Sequence, residues 1–222
     1  MTTPTLSDAR AELVRQRVLD GVAKVLDRGE LLTFASVAAA GGVPERTLYR
    51  HFPTREALLA AVFDAANARI GFEGELPQDA SGLRELVRRA FPGFDTMAPV
   101  IRELMTTPEG RLARLASKPA RQRAALALVR RELGETDRAR ARRIAAILQL
   151  LTTAAAWQTL RDYWDMDGEE AAEASALAID LLLDGAGRAR EQLPREQLTR
   201  RGSPARRGRP AKSPRSARKD GP

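Results

Sequence analysis

Apolar residues in this 222-residue chain recur three and four positions apart along most of its length, and no run alternates apolar with polar between two turns. A helix brings a residue back to the same face about every 3.6 positions and a strand every second one, so this spacing predicts an all-α chain. The first segment shows the pattern plainly. Val14, Val18, Val22 and Val25, helped by Leu19 and Leu26, fall on one face of a helix that runs from a cap at Ser7 or Asp8 to Arg28, where Gly29 stops it. With 43% apolar residues the chain can bury a sizeable core.

Turn residues divide the rest of the chain. Thr33 caps a short second helix through Ala40, Gly41-Gly42 turns the chain, and a third helix runs from Pro44 to about His51. Pro53 breaks the chain and Thr54 caps a fourth helix to about Ile70, with Leu58, Leu59, Val62 and Phe63 turned inward. The connector "GFEGELPQDAS" (71–81) reads as a domain joint, dividing residues 1–70 from a second helical domain at 75–192. There, helices at Ser81–Ala90, Met97–Met105, Arg111–Leu115 and Ser117–Leu133 are separated by Pro92, "TTPEG" and "SKP". Two long helices close the domain, at about Asp137–Trp164 and Glu169–Arg190, joined by "DMDG" as a hairpin. Their apolar stripes, including Ile144, Ile147, Leu148 and Leu151 on one and Leu177, Leu181 and Leu182 on the other, are wider than one neighbour needs. Packing against a second copy through about 139–190, as a homodimer, accounts for the excess.

The formal charge of +8 is unevenly placed: between 195 and 222 stand ten Lys/Arg against Glu196 and Asp220, which leaves 27 basic and 27 acidic residues in 1–194. The affinity for polyanions therefore sits in the tail. From 194 to 222 the chain is expected to be disordered, because 200–222 is mostly Arg, Pro, Gly, Ser and Ala with no large apolar residue and cannot offset the entropy of ordering. Within it "RRGRPAK" resembles the core of an AT-hook, in which Gly208 would let the backbone lie deep in an A·T minor groove between Arg207 and Arg209, ahead of Pro210. Sequence-independent phosphate contact fits the same composition, and both readings stand. Without Cys there is no disulfide, thiolate nucleophile or cysteine metal site, which fits the cytoplasm. The charged N-terminus excludes a signal peptide, and the uncharged run Ile144–Leu160 carries Gln149, Thr152, Thr153 and Gln158, so it reads as a buried helix and no membrane partner is expected. His51 is the sole histidine and has no second ligand or catalytic partner. No enzyme, metal or cofactor is expected.

A helix, a tight turn with Gly and a second helix make the plan in which the second helix enters the major groove of double-stranded DNA. At about 100° per residue, Leu48 and Phe52 share the inner side of the third helix, Arg46, Tyr49 and Arg50 lie opposite, and Thr47 and His51 flank them. Arg46 can bond bidentately to guanine, Thr47 can meet a thymine methyl or a phosphate, and Tyr49, Arg50 and His51 can donate to phosphate oxygens. Arg55 and the open N–H groups at the start of the fourth helix are placed to meet the backbone of the duplex. The competing reading of "TLYRHF" alone is a short amphipathic helix with a solvated basic face.

The block "LLTFASVAAAGGVPERTLYRHFPTREALLAAVF", preceded by "RVLDGVAKVLDRG", resembles the helix-turn-helix DNA-binding domain of the TetR family of transcriptional regulators over about residues 10–63. The resemblance implies a three-helix reading domain followed by a helical effector-binding and dimerisation domain. It implies DNA contacts at Ser36, Glu45, Arg46, Thr47, Tyr49, His51 and Arg55, with Thr33 as cap and phosphate contact. Two positions depart from the family pattern. Pro44 stands where Ser is frequent, and Glu45 where a basic or neutral residue is frequent, so a shifted base preference is expected because a carboxylate accepts from cytosine N4. Phe91, Phe94, Met97 and Met105, in the Pro-broken region, and Trp157 are the candidate ligand-pocket residues, core packing being the other reading of Trp157. The function expected is a ligand-responsive repressor acting as a homodimer on a near-palindromic operator. An architectural, nucleoid-type protein whose tail dominates binding is the alternative.

Overall fold

The computed structural model describes residues 6–72, 77–134 and 137–191, and among these the chain forms eleven helices and no strand. Helices α1 (Leu6–Asp27), α2 (Phe34–Gly41), α3 (Glu45–His51) and α4 (Arg55–Arg69) make the N-terminal bundle. Its interior is the valine stripe of α1, with Val18, Val22 and Val25 at most 1% exposed, packed with Val37, Leu48, Phe52, Leu58 and Leu59. Each such side chain contributes about 1.5–3 kcal/mol on burial. The bundle closes where α1 and α2 meet glycine to glycine: a Cβ on Gly21 would lie 2.7 Å from the Val37 carbonyl oxygen, and one on Gly41 would lie 2.6 Å from that of Arg17. Gly42 then turns the chain at φ 63°, a left-handed conformation that glycine takes at little cost.

Local chemistry starts each of these helices. Thr33 and Ser36 form a reciprocal cap, the Ser36 N–H donating to Thr33 Oγ1 and the Thr33 N–H to Ser36 Oγ, both at 3.0 Å. Thr54 accepts from the Ala57 N–H at 3.2 Å. Pro44 is the N-cap of α3 rather than its first helical residue. Its carbonyl accepts from the Thr47 and Leu48 N–H groups at 2.8 and 3.1 Å while its backbone stays extended, and proline's fixed φ suits that half-in position.

The remaining helices are α5 (Ala80–Asp95), α6 (Ala98–Thr106), α7 (Pro108–Ala116), α8 (Lys118–Leu133), α9 (Arg138–Leu151), α10 (Ala154–Trp164) and α11 (Gly168–Glu191). They depart from the expected boundaries at three places. The first, α5, does not end at Ala90 but runs through Pro92 to Asp95. An internal proline costs about 3 kcal/mol, and here tertiary contacts hold the helix through it. Along its length α5 lies on α11, joined by Arg84–Asp180 at 2.6 Å and Arg88–Glu173 at 2.7 Å. At its end the Asp95 carboxylate accepts from the Trp157 indole at 3.0 Å, the Arg161 guanidinium at 2.9 Å and the Gly168 N–H at 2.5 Å.

The second departure is at "TTPEG", which opens a helix rather than separating two: Thr107 caps α7 and Pro108 is its first residue. The third is the expected single helix 137–164, which is two, parted at Thr152-Thr153. Both hydroxyls donate to carbonyls of the preceding turn, Gln149 and Leu150, at 2.9 and 2.8 Å, and Thr153 is extended. Threonine offers the backbone this alternative to continuing the helix, and two in a row end it. One buried apolar cluster runs from Val18 to Leu183, so the segments on either side of the 71–81 connector share a core. Against the N-terminal bundle, α6 packs on α1 and α4, and α7 on α4. The basic tail, with Arg207, Gly208, Arg209 and Pro210, lies outside the described residues.

Candidate DNA-reading face and internal cavity

Burial around α3 follows the helical wheel. Leu48 and Phe52 are 0% and 2% exposed, Thr47 and His51 are half-buried, and Glu45, Arg46, Tyr49 and Arg50 are exposed. Among the described residues, Arg46 and Arg50 make no ion pair, so both guanidiniums keep their donors free for an outside acceptor. Tyr49 is held in place by a neighbour the sequence reading passed over: its ring stacks on Phe34 of α2, centroids 4.4 Å apart and planes within 8°. Beneath the same helix, Arg15 of α1 lies 5.6 Å above the Phe52 ring. Glu45 sits in the first turn of α3, where a carboxylate complements the positive helix end.

Three other candidate contacts are committed elsewhere. Thr33 and Ser36 spend their hydroxyls on one another and on the Leu31 carbonyl, to which Ser36 Oγ donates at 3.0 Å. Arg55 does not extend outward from α4. Its guanidinium turns inward, donating to the Leu32 carbonyl at 2.5 Å and to the Glu103 carboxylate, with Glu109 at 3.7 Å. Two acids on α6 and α7 outcompete solvent for it, a tertiary arrangement invisible in "TREALL". The first turn of α4 also carries Glu56, whose carboxyl is held below the usual carboxylate range by a backbone N–H and by the Thr54 hydroxyl.

Between α4 and α10 lies a cavity of about 380 Å³, within the range of about 300–1,000 Å³ for small-molecule sites. Phe94 and Met105 line it. Phe91, Met97 and Trp157 do not: they are buried in the packing behind it, with Trp157 edge-on to Phe94 at 5.7 Å. The rest of the wall is apolar, from Phe63, Ile70 and Phe72 to Leu86, Leu128 and Leu148, with Asn67, Gln122, Gln149, Thr152 and Thr153 among the polar groups.

Three cations the sequence reading missed line the cavity where α7 meets α8: Arg114, Lys118 and Arg121. Arg114 donates to the last carbonyls of α6, Leu104 at 3.0 Å and Met105 at 3.4 Å. Arg121 donates through Nε to Ser117 Oγ at 2.9 Å and lies 5.8 and 5.7 Å from the ring centres of Phe63 and Phe72. Burial pushes both guanidinium pKa values down, and Arg111 beside Arg114, and Arg114 beside Arg121, push the same way. The signal was the basic spacing 114, 118, 121, which reads as a solvated helix face until α4 is known to pack across it.

Compared with known proteins, residues 30–62 match the family described as bacterial regulatory proteins, tetR family. A 74-residue stretch is 35% identical to the HTH-type transcriptional repressor LfrR of Mycolicibacterium smegmatis, covering 32% of this chain and 39% of that repressor's length. The fold resembles the crystal structure of a transcriptional regulator from Rhodococcus sp. Rha1, with a TM-score of 0.54 at 18% identity over 80% of this chain and 97% of that one. It also resembles the TetR family transcriptional regulator PfmR from Thermus thermophilus, with a TM-score of 0.51 at 18% identity over 82% of this chain and 97% of that one.

Proposed function

We propose that this chain, whose residues 30–62 match the family described as bacterial regulatory proteins, tetR family, is a sequence-specific DNA-binding transcriptional regulator, a repressor that binds a near-palindromic operator as a homodimer and leaves it when a small molecule fills the cavity. The observation that carries this reading is α3: an apolar side sealed into the bundle, and an outer side of Arg46, Tyr49 and Arg50 left exposed. On that side Arg46 reads guanine, Thr47 a thymine methyl or phosphate, and Tyr49, Arg50 and His51 anchor phosphates. Glu45 shifts base preference towards cytosine on the contacted strand.

The dimer reading draws on the far end of the molecule, where Tyr163 and Trp164 of α10 are 81% and 69% exposed and Leu177 and Leu181 of α11 stand out one turn apart. A second copy covering that face would set two α3 helices about 34–36 Å apart, one turn of DNA, or a multiple of it. Ligand response draws on α6. Leu104 and Met105 line the cavity, and the adjoining Glu103 holds Arg55 at the start of α4. A ligand that shifts the end of α6 is felt beside the reading helix, provided it binds the two arrangements unequally.

Footprinting of DNA selected from a random pool tests the reading. A protected two-fold sequence is expected; protection without one overturns the dimeric-operator model. Replacing Arg46 and Tyr49 together by Ala abolishes that footprint if the face is right and leaves it intact if it is wrong. A chain ended after Pro194 keeps the footprint and loses salt dependence, by about 0.9 log units of affinity per log unit of salt for each tail contact removed. Loss of all binding on that truncation makes the tail the principal binder and overturns the proposal.

A further inference from the structure

We propose that the cavity takes an amphipathic carboxylate, its headgroup on Arg121 and its apolar body along Phe63, Ile70, Leu86, Phe94, Leu128 and Leu148. This rests on the reading of the cavity as the effector site. The charge of the wall carries the inference. It holds two guanidiniums and an ammonium and, among the described residues, no Asp or Glu. Arg121 is the sharpest case: Nε has Ser117, the guanidinium lies over the Phe63 and Phe72 rings, and its two Nη groups have no protein acceptor among the described residues. Arg121 is half-buried, and a carboxylate would accept from both Nη groups at once, the bidentate geometry a guanidinium favours. The two aromatic rings hold the fork in place before the ligand arrives, so little ordering is left to do on binding.

The surroundings work in the same direction. Arg121 and Lys118 stand in the first turn of α8, which contains no acid, so two cations face the positive end of a helix dipole. Arg114, at the end of α7, adds a third positive charge and lowers the pKa of Arg121 further. Such a cluster repels itself while the cavity is empty and is relieved by one negative charge. A cationic ligand would meet every one of these charges unfavourably. A neutral one would leave them as they are.

Calorimetric titration of the full chain with decanoate, decanol and decylamine separates these cases, since the three share a body and differ in the headgroup. Decanoate is expected to bind at least about tenfold more tightly than decanol, and decylamine not at all. In Arg121→Gln the preference of decanoate over decanol collapses while decanol still binds, which shows the cavity intact; Arg121→Lys keeps the preference. Equal binding of all three, a preference that survives Arg121→Gln, or no binding of decanoate overturns the proposal. Footprinting the same preparation keeps the two readings apart. An operator protected without ligand, by a chain that ignores decanoate, overturns the carboxylate and leaves the regulator. Tight decanoate binding by a chain that protects no operator supports the carboxylate and removes the regulator.

Discussion

In the N-terminal bundle Leu48 and Phe52 are buried to within 2% of completely and Arg46 and Arg50 stay exposed, whereas the helices from α4 to α10 leave about 380 Å³ open with the half-buried Arg114 and Arg121 on its wall. The bundle starts its helices with a Thr-Ser cap, a Pro cap and a Thr cap, and crosses α1 with α2 through two glycines, so every approach is short and fixed. The second region starts helices at prolines, breaks one at paired threonines and carries one through Pro92. Close packing fixes the shape of the α3 face proposed to meet DNA. Looser packing serves a chamber.

Substitutions test that contrast. Leu48→Ala is expected to cost about 2–5 kcal/mol, the range for emptying a core site that cannot collapse, read as a fall in the urea midpoint at unchanged slope. A smaller loss at Leu48 would mean that the bundle relaxes around it. Ala38→Leu, in the bundle, is expected to cost about 1–3 kcal/mol by overpacking. Ala125→Leu, on the cavity wall, should change stability by less than about 1 kcal/mol, because its added volume enters open space; equal costs at the two alanines would erase the distinction between filled and hollow. Thr33→Ala should cost about 1 kcal/mol, the usual value of a lost N-cap, seen as a drop of a few degrees in melting temperature. Smallest of all is the effect of Arg55→Ala on DNA binding. With its guanidinium held by Leu32, Glu103 and Glu109, the salt slope of operator affinity should not change, while a phosphate contact would lower that slope by about one.

Much of the N-terminal region was legible in the sequence because its signals are local. Val14 to Val25 on one face, Thr33 and Thr54 before helices, Gly42 at the turn, and Leu48 and Phe52 opposite Arg46, Tyr49 and Arg50 are all statements about residues within about a turn of one another. Where the reading failed, a partner far along the chain had intervened. Pro92 looked like a stop because nothing nearby shows that Asp95 is tied to Trp157, Arg161 and Gly168. Arg55 looked like a phosphate ligand because Glu103 and Glu109 lie about fifty residues away. Trp157, for which the sequence favoured core packing over pocket lining, is core.

By itself, then, the sequence determined an all-helical chain, the buried and exposed faces of α3 and the placement of its excess charge in the tail, because periodicity, capping and composition need no partner. Only the tertiary structure decided that Arg55 ties α4 to α6 and α7, and that the half-buried Arg114 and Arg121 line a largely apolar chamber. A charged side chain on a helix looks the same in sequence whether water or another helix covers it, and that cover fixes what the charge can bind.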